Sequence, residues 1–203
     1  METLNAEFGR VCTVWSDIYQ HCPVLAKYAE ECGTVLEAGV RSGNSSWALL
    51  YGLSKSSQYN KLMISVDTDN VLNLKLIDTA HQVGIKHKFL QQSILDFQTL
   101  GQEFDLVFID TFHVFGQMKR ELNLLAGITK KYIIMHDTTV DEYQGELIRN
   151  GWKVEDFKHL GWREEELRMG IWPAIVNFLS EHPEWVVKER LTNNNGLTVL
   201  ARC

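Results

Sequence analysis

The sequence predicts an α/β fold: a mostly parallel seven-stranded sheet, helices on both faces, and a C-terminal antiparallel hairpin. Three observations predict it. Short continuous apolar runs alternate with helix-spaced ones along residues 34–137. A glycine-rich turn follows the first run, and two strand-like runs at the end flank Asn193-Asn194-Asn195-Gly196. Continuous apolar strands separated by helices imply a sheet covered on both faces, the mark of parallel crossover connections. The 203 residues fit one domain large enough to bury a core unaided.

Phe8, Val11, Trp15, Ile18 and Cys22 share one helical face over residues 7–22. Pro23 interrupts, and Leu25, Tyr28, Ala29 and Cys32 predict a second short helix closed by Gly33. Residues 34–38 read as the first strand and 45–53 as a helix. Residues 62–66 form a strand that stops at Asp67. Leu72, Leu76, Ile77, Ala80 and Val83 mark a helix capped near Asp69 or Asn70 and ended by Gly84. Strands follow at 86–90 and 104–109, the latter ending at Asp110. Phe115, Met118, Leu122 and Leu125 make a helical stripe before a strand at 132–135 that ends at His136-Asp137. Residues 138–170 are polar, tryptophan-bearing and weakly periodic. A helix at 171–179 and strands at 185–191 and 197–201 complete the chain.

The most informative stretch is Val35-Leu36-Glu37-Ala38-Gly39-Val40-Arg41-Ser42-Gly43-Asn44-Ser45-Ser46. A strand ends in an acid, a glycine turn follows, and a helix starts. Glycine lets a backbone pass close to a ligand, and the helix's first N–H groups face whatever occupies the bend. This pattern marks a nucleotide-type cofactor site. In open α/β sheets, ligands bind beyond the carboxyl ends of the strands. Glu37, Asp67, Asp110 and Asp137 fall there on four candidate strands, with Ser93 just past the third strand in chain order. One such acid is commonly a cap; four in corresponding positions point to a site. Asp67, about 30 residues after the glycine turn, suits hydrogen bonding to a ribose diol.

The ordered set Glu37-x-Gly39-x-x-x-Gly43, Asp67 and Asp110 resembles the class I S-adenosylmethionine (SAM) dependent methyltransferases over most of the chain. Gly39-x-Arg41-x-Gly43-x-Ser45, Ile109-Asp110-x-x-His113, His136-Asp137-Thr138-Thr139 and Asn194-Asn195-Gly196-Leu197-Thr198-Val199-Leu200 resemble one branch of it. That branch holds O-methyltransferases of sugars and related natural products, together with cephalosporin-hydroxylase-like proteins. The resemblance implies a Rossmann-like fold in which Glu37, Gly39 and Gly43 shape the pocket around the amino-acid end of SAM. Ser42, Asn44 and Ser45 complete that turn, Asp67 holds the ribose, and Ser93 and Ile94 lie beside the adenine. Asp110 belongs to both cofactor site and catalytic centre. NAD fits less well, because Gly39 and Gly43 are four apart and no third glycine gives a GxGxxG spacing.

Transfer of a methyl group to a hydroxyl asks the protein to position the acceptor and remove its proton. Asp110 and Asp137 could converge on a hard cation such as Mg²⁺. Metal-dependent relatives usually place a second acid just before the latter aspartate. Here His136 stands in its place, which admits a softer ion, a weaker Mg²⁺ site or none. His113, three residues after Asp110, is a general-base candidate, with a surface loop histidine as the alternative. His136 is either a ligand or a neighbour that supports the ligands. Residues 138–170 are expected to supply the acceptor pocket or lid, with Tyr143, Trp152 and Trp162 either stacking on the acceptor or packing the core. Glu164-Glu165-Glu166 reads as a solvated helix face, and Arg41 pairs either with an acid or with the cofactor's carboxylate.

The organisation expected is therefore N-terminal helices over 1–33, a cofactor-binding core over 34–137, the 138–170 segment, and a helix with hairpin over 171–203. The leading function is O-methylation of a small hydroxylated acceptor, a sugar or glycosylated metabolite. The alternatives are a SAM-binding scaffold without catalysis, and a hydroxylase in which His113, His136 and Asp137 form a two-histidine, one-carboxylate iron set. Twenty-six acidic against twenty basic residues argue against a nucleic-acid partner. No apolar run is long enough for a membrane span, and the acidic start differs from a signal peptide. Four cysteines without CxxC pairing suit a reducing, cytoplasmic setting. The N-terminal helices and the 138–170 segment are the candidate contacts of a homodimer.

Overall fold

The computed structural model describes Met1–Cys203 in full. Its seven strands are β1 (Thr34–Ala38), β2 (Leu62–Asp67), β3 (Lys86–Gln91), β4 (Phe104–Ile109), β5 (Thr129–His136), β6 (Trp185–Leu191) and β7 (Leu197–Arg202). They form one sheet in the order β3-β2-β1-β4-β5-β7-β6. β1 to β5 run parallel, whereas β7 is antiparallel to β5 and β6 to β7. The hairpin turns through Asn194, Asn195 and Gly196, all at positive φ. Asn tolerates that region, and Gly196 is the close point, because a Cβ there would lie 2.3 Å from the Thr139 hydroxyl.

Strand alternation sorts the side chains between two apolar layers. Val35, Met63, Leu106, Phe108 and Ile134 face α1 (Glu2–Thr13), α2 (Cys22–Glu30), α3 (Asn44–Lys55) and α4 (Leu74–Gln82). Leu36, Ile64, Val107, Ile109 and Ile133 face α5 (Phe115–Leu125) and, further along the sheet, the layer containing α8 (Trp172–Glu181). A fully buried side chain of this size contributes about 1.5–3 kcal/mol, so these two layers carry the fold. Between α5 and α8 lie α6 (Glu146–Arg149), a 3₁₀ segment (Val154–Leu160) and α7 (Glu164–Arg168), closed by the bridge Gln144–Met169. No helix is long and apolar enough to cross a membrane.

Several local expectations are corrected. The helix predicted over 7–22 breaks at Thr13, whose hydroxyl bonds back to the Gly9 carbonyl, and Val14 is extended. Trp15 is consequently 81% exposed instead of packed. The segment after it carries Asp17 to the Arg41 guanidinium and the Ser16 carbonyl to Asn194. Pro23 opens α2 rather than merely ending its predecessor. Gly33 does not close α2 in a left-handed conformation; its N–H donates to Asp105 Oδ2 at 2.6 Å. α4 is capped by Asn73, which accepts from the Leu76 N–H, so Leu72 stays outside the helix and half exposed. β5 begins three residues earlier than expected and takes in His136.

Candidate active site

Gly39 follows β1 at φ 88°, and a Cβ there would meet the Asp110 carbonyl oxygen at 1.9 Å. The first and fourth strands therefore converge because this residue has no side chain. Asp67, last in β2, holds the turn that follows. Its Oδ2 accepts the N–H groups of Val40 (2.8 Å) and Arg41 (3.0 Å), and its Oδ1 that of Asp69 (2.9 Å). A carboxylate has about four acceptor positions, so one is left for a ligand. Gly39, Asp67, Ser93, Ile94 and Asp110 line a single cleft of about 610 Å³ at the carboxyl ends of the strands. Arg41, Thr111, Phe112 and Gln117 add to its walls, and Phe157, His159 and Leu160 of the 3₁₀ segment roof it.

The other predicted turn residues stand elsewhere. Glu37 shares the Val35 face of β1, which α3 covers, so its carboxylate points into the protein. It accepts the hydroxyls of Ser45 (2.7 Å), Ser46 (2.8 and 2.9 Å) and Ser65 (2.7 Å) and is fully buried. Ser65 is the residue that registers with Glu37 across β1 and β2, and it also meets His87 Nε2 at 3.0 Å. Burial pushes the Glu37 carboxyl up to about 7, against the opposing pull of the three hydroxyls. Asn44 faces Arg10, and its side chain does not line the cleft. Ser42 and Gly43 line a separate small cavity of about 30 Å³ beside Ser65 and His87. Arg41, whose alternatives the sequence leaves open, pairs with Asp17.

At the ends of β4 and β5 the acids meet imidazoles. His113 Nε2 lies 3.1 Å from Asp110 Oδ1. Its Nδ1 lies 3.0 Å from Asp137 Oδ2, 3.3 Å from Asp141 Oδ2 and 3.4 Å from Glu146 Oε2, yet hydrogen-bonds to none of them. His136, on the face of β5 turned toward α2, is 1% exposed and packs edge-on to His21. Its Nδ1 is 3.1 Å from Asp137 Oδ1 and 3.5 Å from Asp110 Oδ1, and its Nε2 is 3.2 Å from the Asn194 carbonyl. Asp137 takes φ 56°, a left-handed conformation that re-aims its carboxylate toward Asp110. Burial raises the Asp110 carboxyl, but His136 and His113 together outweigh it and hold that carboxyl below the usual range. Burial lowers the two imidazoles, and the facing carboxylates more than reverse this, so both are raised, His113 strongly.

The donor atoms of Asp110, His113 and Asp137 all lie within 4.8 Å of one another. The expected trio is Asp110, Asp137 and His136; His113 also joins the two acids, while His136 Nδ1 keeps within 3.5 Å of both. The clustered set differs from the two-histidine, one-carboxylate set, since Asp110 takes the place of His136. A surface loop position for His113 is excluded, because its side chain is only 10% exposed. Asp110 lines the cleft and His113 does not, so an acceptor in the cleft meets Asp110 first.

Sequence reasoning missed Asp141 and Glu146, which close round His113, and Arg149, which grips Asp141 through two hydrogen bonds of 2.7 and 2.9 Å. It also missed a second buried acid, Glu121, which accepts from Thr111 (2.6 Å) and Gln117 (2.7 Å) beneath the cleft and is pushed up to about 7 by burial. Glu121 lies on the α5 stripe between Met118 and Leu122, a signal that could have marked it as inward-facing. Tyr143, Trp152 and Trp162 do not line the cleft. Trp152 braces Phe157 from outside (5.9 Å), Trp162 lies under Arg120, and Tyr143 is exposed. The Glu164–Glu166 run is only partly solvated, since Glu166 turns inward to accept from the Arg163 N–H.

No protein-family model matches the chain, and no curated protein matches it in sequence. Its structure does have relatives. A protein from Corynebacterium glutamicum superposes with a TM-score of 0.64 at 14% identity, over 98% of this chain and 90% of that one. The Podospora anserina methyltransferase PaMTH1, bound to S-adenosylhomocysteine (SAH), gives 0.59 at 15% identity, over 100% and 88%. An O-methyltransferase from Bacillus cereus in complex with SAH gives 0.55 at 15%, over 100% and 89%. At these identities the likeness establishes the fold: a Rossmann-like methyltransferase sheet with its C-terminal antiparallel hairpin.

Proposed function

We propose that this protein is a SAM-dependent O-methyltransferase that transfers a methyl group to a hydroxyl of a small acceptor, a sugar or glycosylated metabolite. The observation that carries the reading is the single cleft that gathers Gly39, Asp67, Ser93, Ile94 and Asp110 from four strand ends. Structural neighbours solved with SAH support it. The residues fit the cofactor: a glycine without room for a Cβ, an acid with a free acceptor position, and an apolar shelf at Ile94. Bound there, SAM supplies an electrophilic methyl on a sulfonium. Asp67 would accept from the ribose hydroxyls, and Ser93 and Ile94 would flank the adenine.

Asp110 is the group best suited to take the acceptor's proton. It lines the cleft and is kept ionised by His113 and His136. His113 then acts through Asp110 as a positioning residue and a fixed positive neighbour, a different role from the direct base expected of it. Phe157, His159 and Leu160 line the same cleft and would face the bound cofactor or acceptor. Asp110 and Asp137, with an imidazole, also fit a divalent cation, because Asp137 Oδ1 is buried without a hydrogen-bond partner. Such an ion would lower the pKa of the acceptor hydroxyl.

The test is incubation with methyl-labelled SAM and a panel of free sugars, glycosides and catechols, in air and under anaerobic conditions. The reading predicts label on a hydroxyl oxygen in both atmospheres. Oxygen-dependent hydroxylation without label transfer would replace it with the oxidoreductase alternative.

A further inference from the structure

Glu121 is an acid that the methyl-transfer chemistry leaves unused. It sits on the α5 stripe between Met118 and Leu122, fully buried, and its hydrogen-bond partners are two side chains that line the cleft. The Thr111 hydroxyl donates to its Oε1 at 2.6 Å, and the Gln117 amide Nε2 at 2.7 Å. Burying a carboxyl among apolar side chains is costly, so its worth lies in what it does to those two. Each of them spends a hydrogen inward. The Gln117 Oε1, on the other arm of the amide, accepts from no protein group and is left to the cleft, as are the lone pairs of the Thr111 hydroxyl. Ser93 is fixed with the opposite polarity: its Oγ accepts the Leu95 N–H at 3.2 Å, which frees its O–H to donate. The Glu121 Oε2 has no partner, so a proton taken up there leaves Oε1 an acceptor and both donors in place.

We propose that Glu121 is a positioning residue that turns Gln117 and Thr111 into hydrogen-bond acceptors, and that Gln117 Oε1 reads the 6-amino group of the cofactor's adenine while the Ser93 hydroxyl donates to its N1. The placement follows from packing. α5 lies against the 3₁₀ turn Ile94–Asp96, and Ile94 shares one apolar layer with Phe115 and Met118, so Gln117 opens on the adenine end of the cleft. Adenine offers a donor at its 6-amino group and an acceptor at N1, the complement of an oxygen at Gln117 and a hydroxyl hydrogen at Ser93. A 6-oxopurine reverses both positions. It sets its oxygen against the Gln117 oxygen and an N–H against the Ser93 hydroxyl, leaving enclosed polar groups unmet. The inference rests on the reading that the cleft binds SAM, and adds which base the cleft accepts and which residues choose it.

The experiment is calorimetric titration of the full-length protein with SAH and with S-inosylhomocysteine, the same molecule carrying a 6-oxo base. Wild type should hold SAH at least about a hundredfold more tightly than the inosyl analogue. Gln117→Leu should weaken SAH and bring that preference below about tenfold, with the inosyl analogue nearly unchanged. Glu121→Met should do the same, because the shared acceptor is gone. Glu121→Gln, which keeps an oxygen for both donors, should retain the preference. A role in packing alone would lower both affinities together and leave their ratio intact. SAH bound by wild type without preference, or a ratio untouched by Gln117→Leu, would overturn the inference and leave the cofactor reading standing. So would a folded Glu121→Met that keeps the ratio, or a folded Glu121→Gln that loses it. Failure of wild type to bind either ligand would overturn the cofactor reading, and the inference with it.

Discussion

Glu37 and Asp110 both stand at the carboxyl ends of neighbouring parallel strands, Glu37 fully buried and Asp110 part-buried on the cleft, yet their charges are treated in opposite ways. Glu37 meets three serine hydroxyls, and burial pushes it up to about 7. Asp110 stands between His113 and His136, which overcome its burial and hold it low. Neutral donors stabilise a buried carboxylate only in part; imidazolium groups pair with it. The lesson is that position at a strand end nominates an acid, while its partners assign its work. Glu37 ties the start of α3 to β1 and β2, and Asp110 is the charged group presented to the cleft.

The largest expected effect breaks the comparison at Asp110. If Asp110 takes the acceptor's proton as proposed, Asp110→Asn should reduce methyl transfer by about a thousandfold. Glu37→Gln, measured in the same single-turnover assay, should leave the chemical step within about tenfold of wild type. Equal losses in the two variants would erase the distinction.

Glu37→Gln sharpens it from the other side, through pH. Below pH 4.5, the ordinary value for this carboxyl, both folded and unfolded states hold the proton. Between 4.5 and about 7 the unfolded chain releases it and the folded chain keeps it, so this group's contribution to stability falls as pH rises, then levels off. Glutamine does not titrate. The stability of Glu37→Gln relative to wild type should therefore improve by about 3 kcal/mol between pH 4.5 and 8. Glu121 moves in the same direction, and His21 and His87, depressed to about 4, in the opposite one, but all three remain in both proteins. Urea melts across that range measure the difference, and a gap that stays constant with pH contradicts the assignment.

The smallest effect concerns one donor. Ser65→Ala leaves Glu37 with two hydroxyl partners and should cost about 1–2 kcal/mol at pH 8, shrinking at pH 5 where the carboxyl is neutral. A cost that does not change with pH would mean that packing, not the charge, is what Ser65 serves.

The sheet was legible because its signals are local. Apolar runs, strand-ending acids and the Asn194-Asn195-Gly196 turn each declare themselves within a few residues. The enclosure of His113 was not, since Asp141 and Glu146 reach it only after residues 138–170 fold back and bridge Gln144 to Met169. The inward turn of Glu37 was legible in principle. Glu37 alternates with Leu36 and Ala38, and Ser65 alternates with Ile64, so both occupy the face toward α3. The early end of α1 was hidden, because Trp15 and Ile18 continue the helical spacing while the backbone has already turned away to reach Arg41 and Asn194.

The central claim is that the cleft at these strand ends binds SAM with Asp67 as its ribose anchor. Calorimetric titration with SAM, SAH and NAD⁺ tests it most directly. The account predicts micromolar binding of the first two and none of the third, with Asp67→Ala weakening it about a hundredfold through loss of charge-assisted hydrogen bonds. Failure of the wild-type protein to bind SAM or SAH, or equal binding by folded Asp67→Ala, would contradict it.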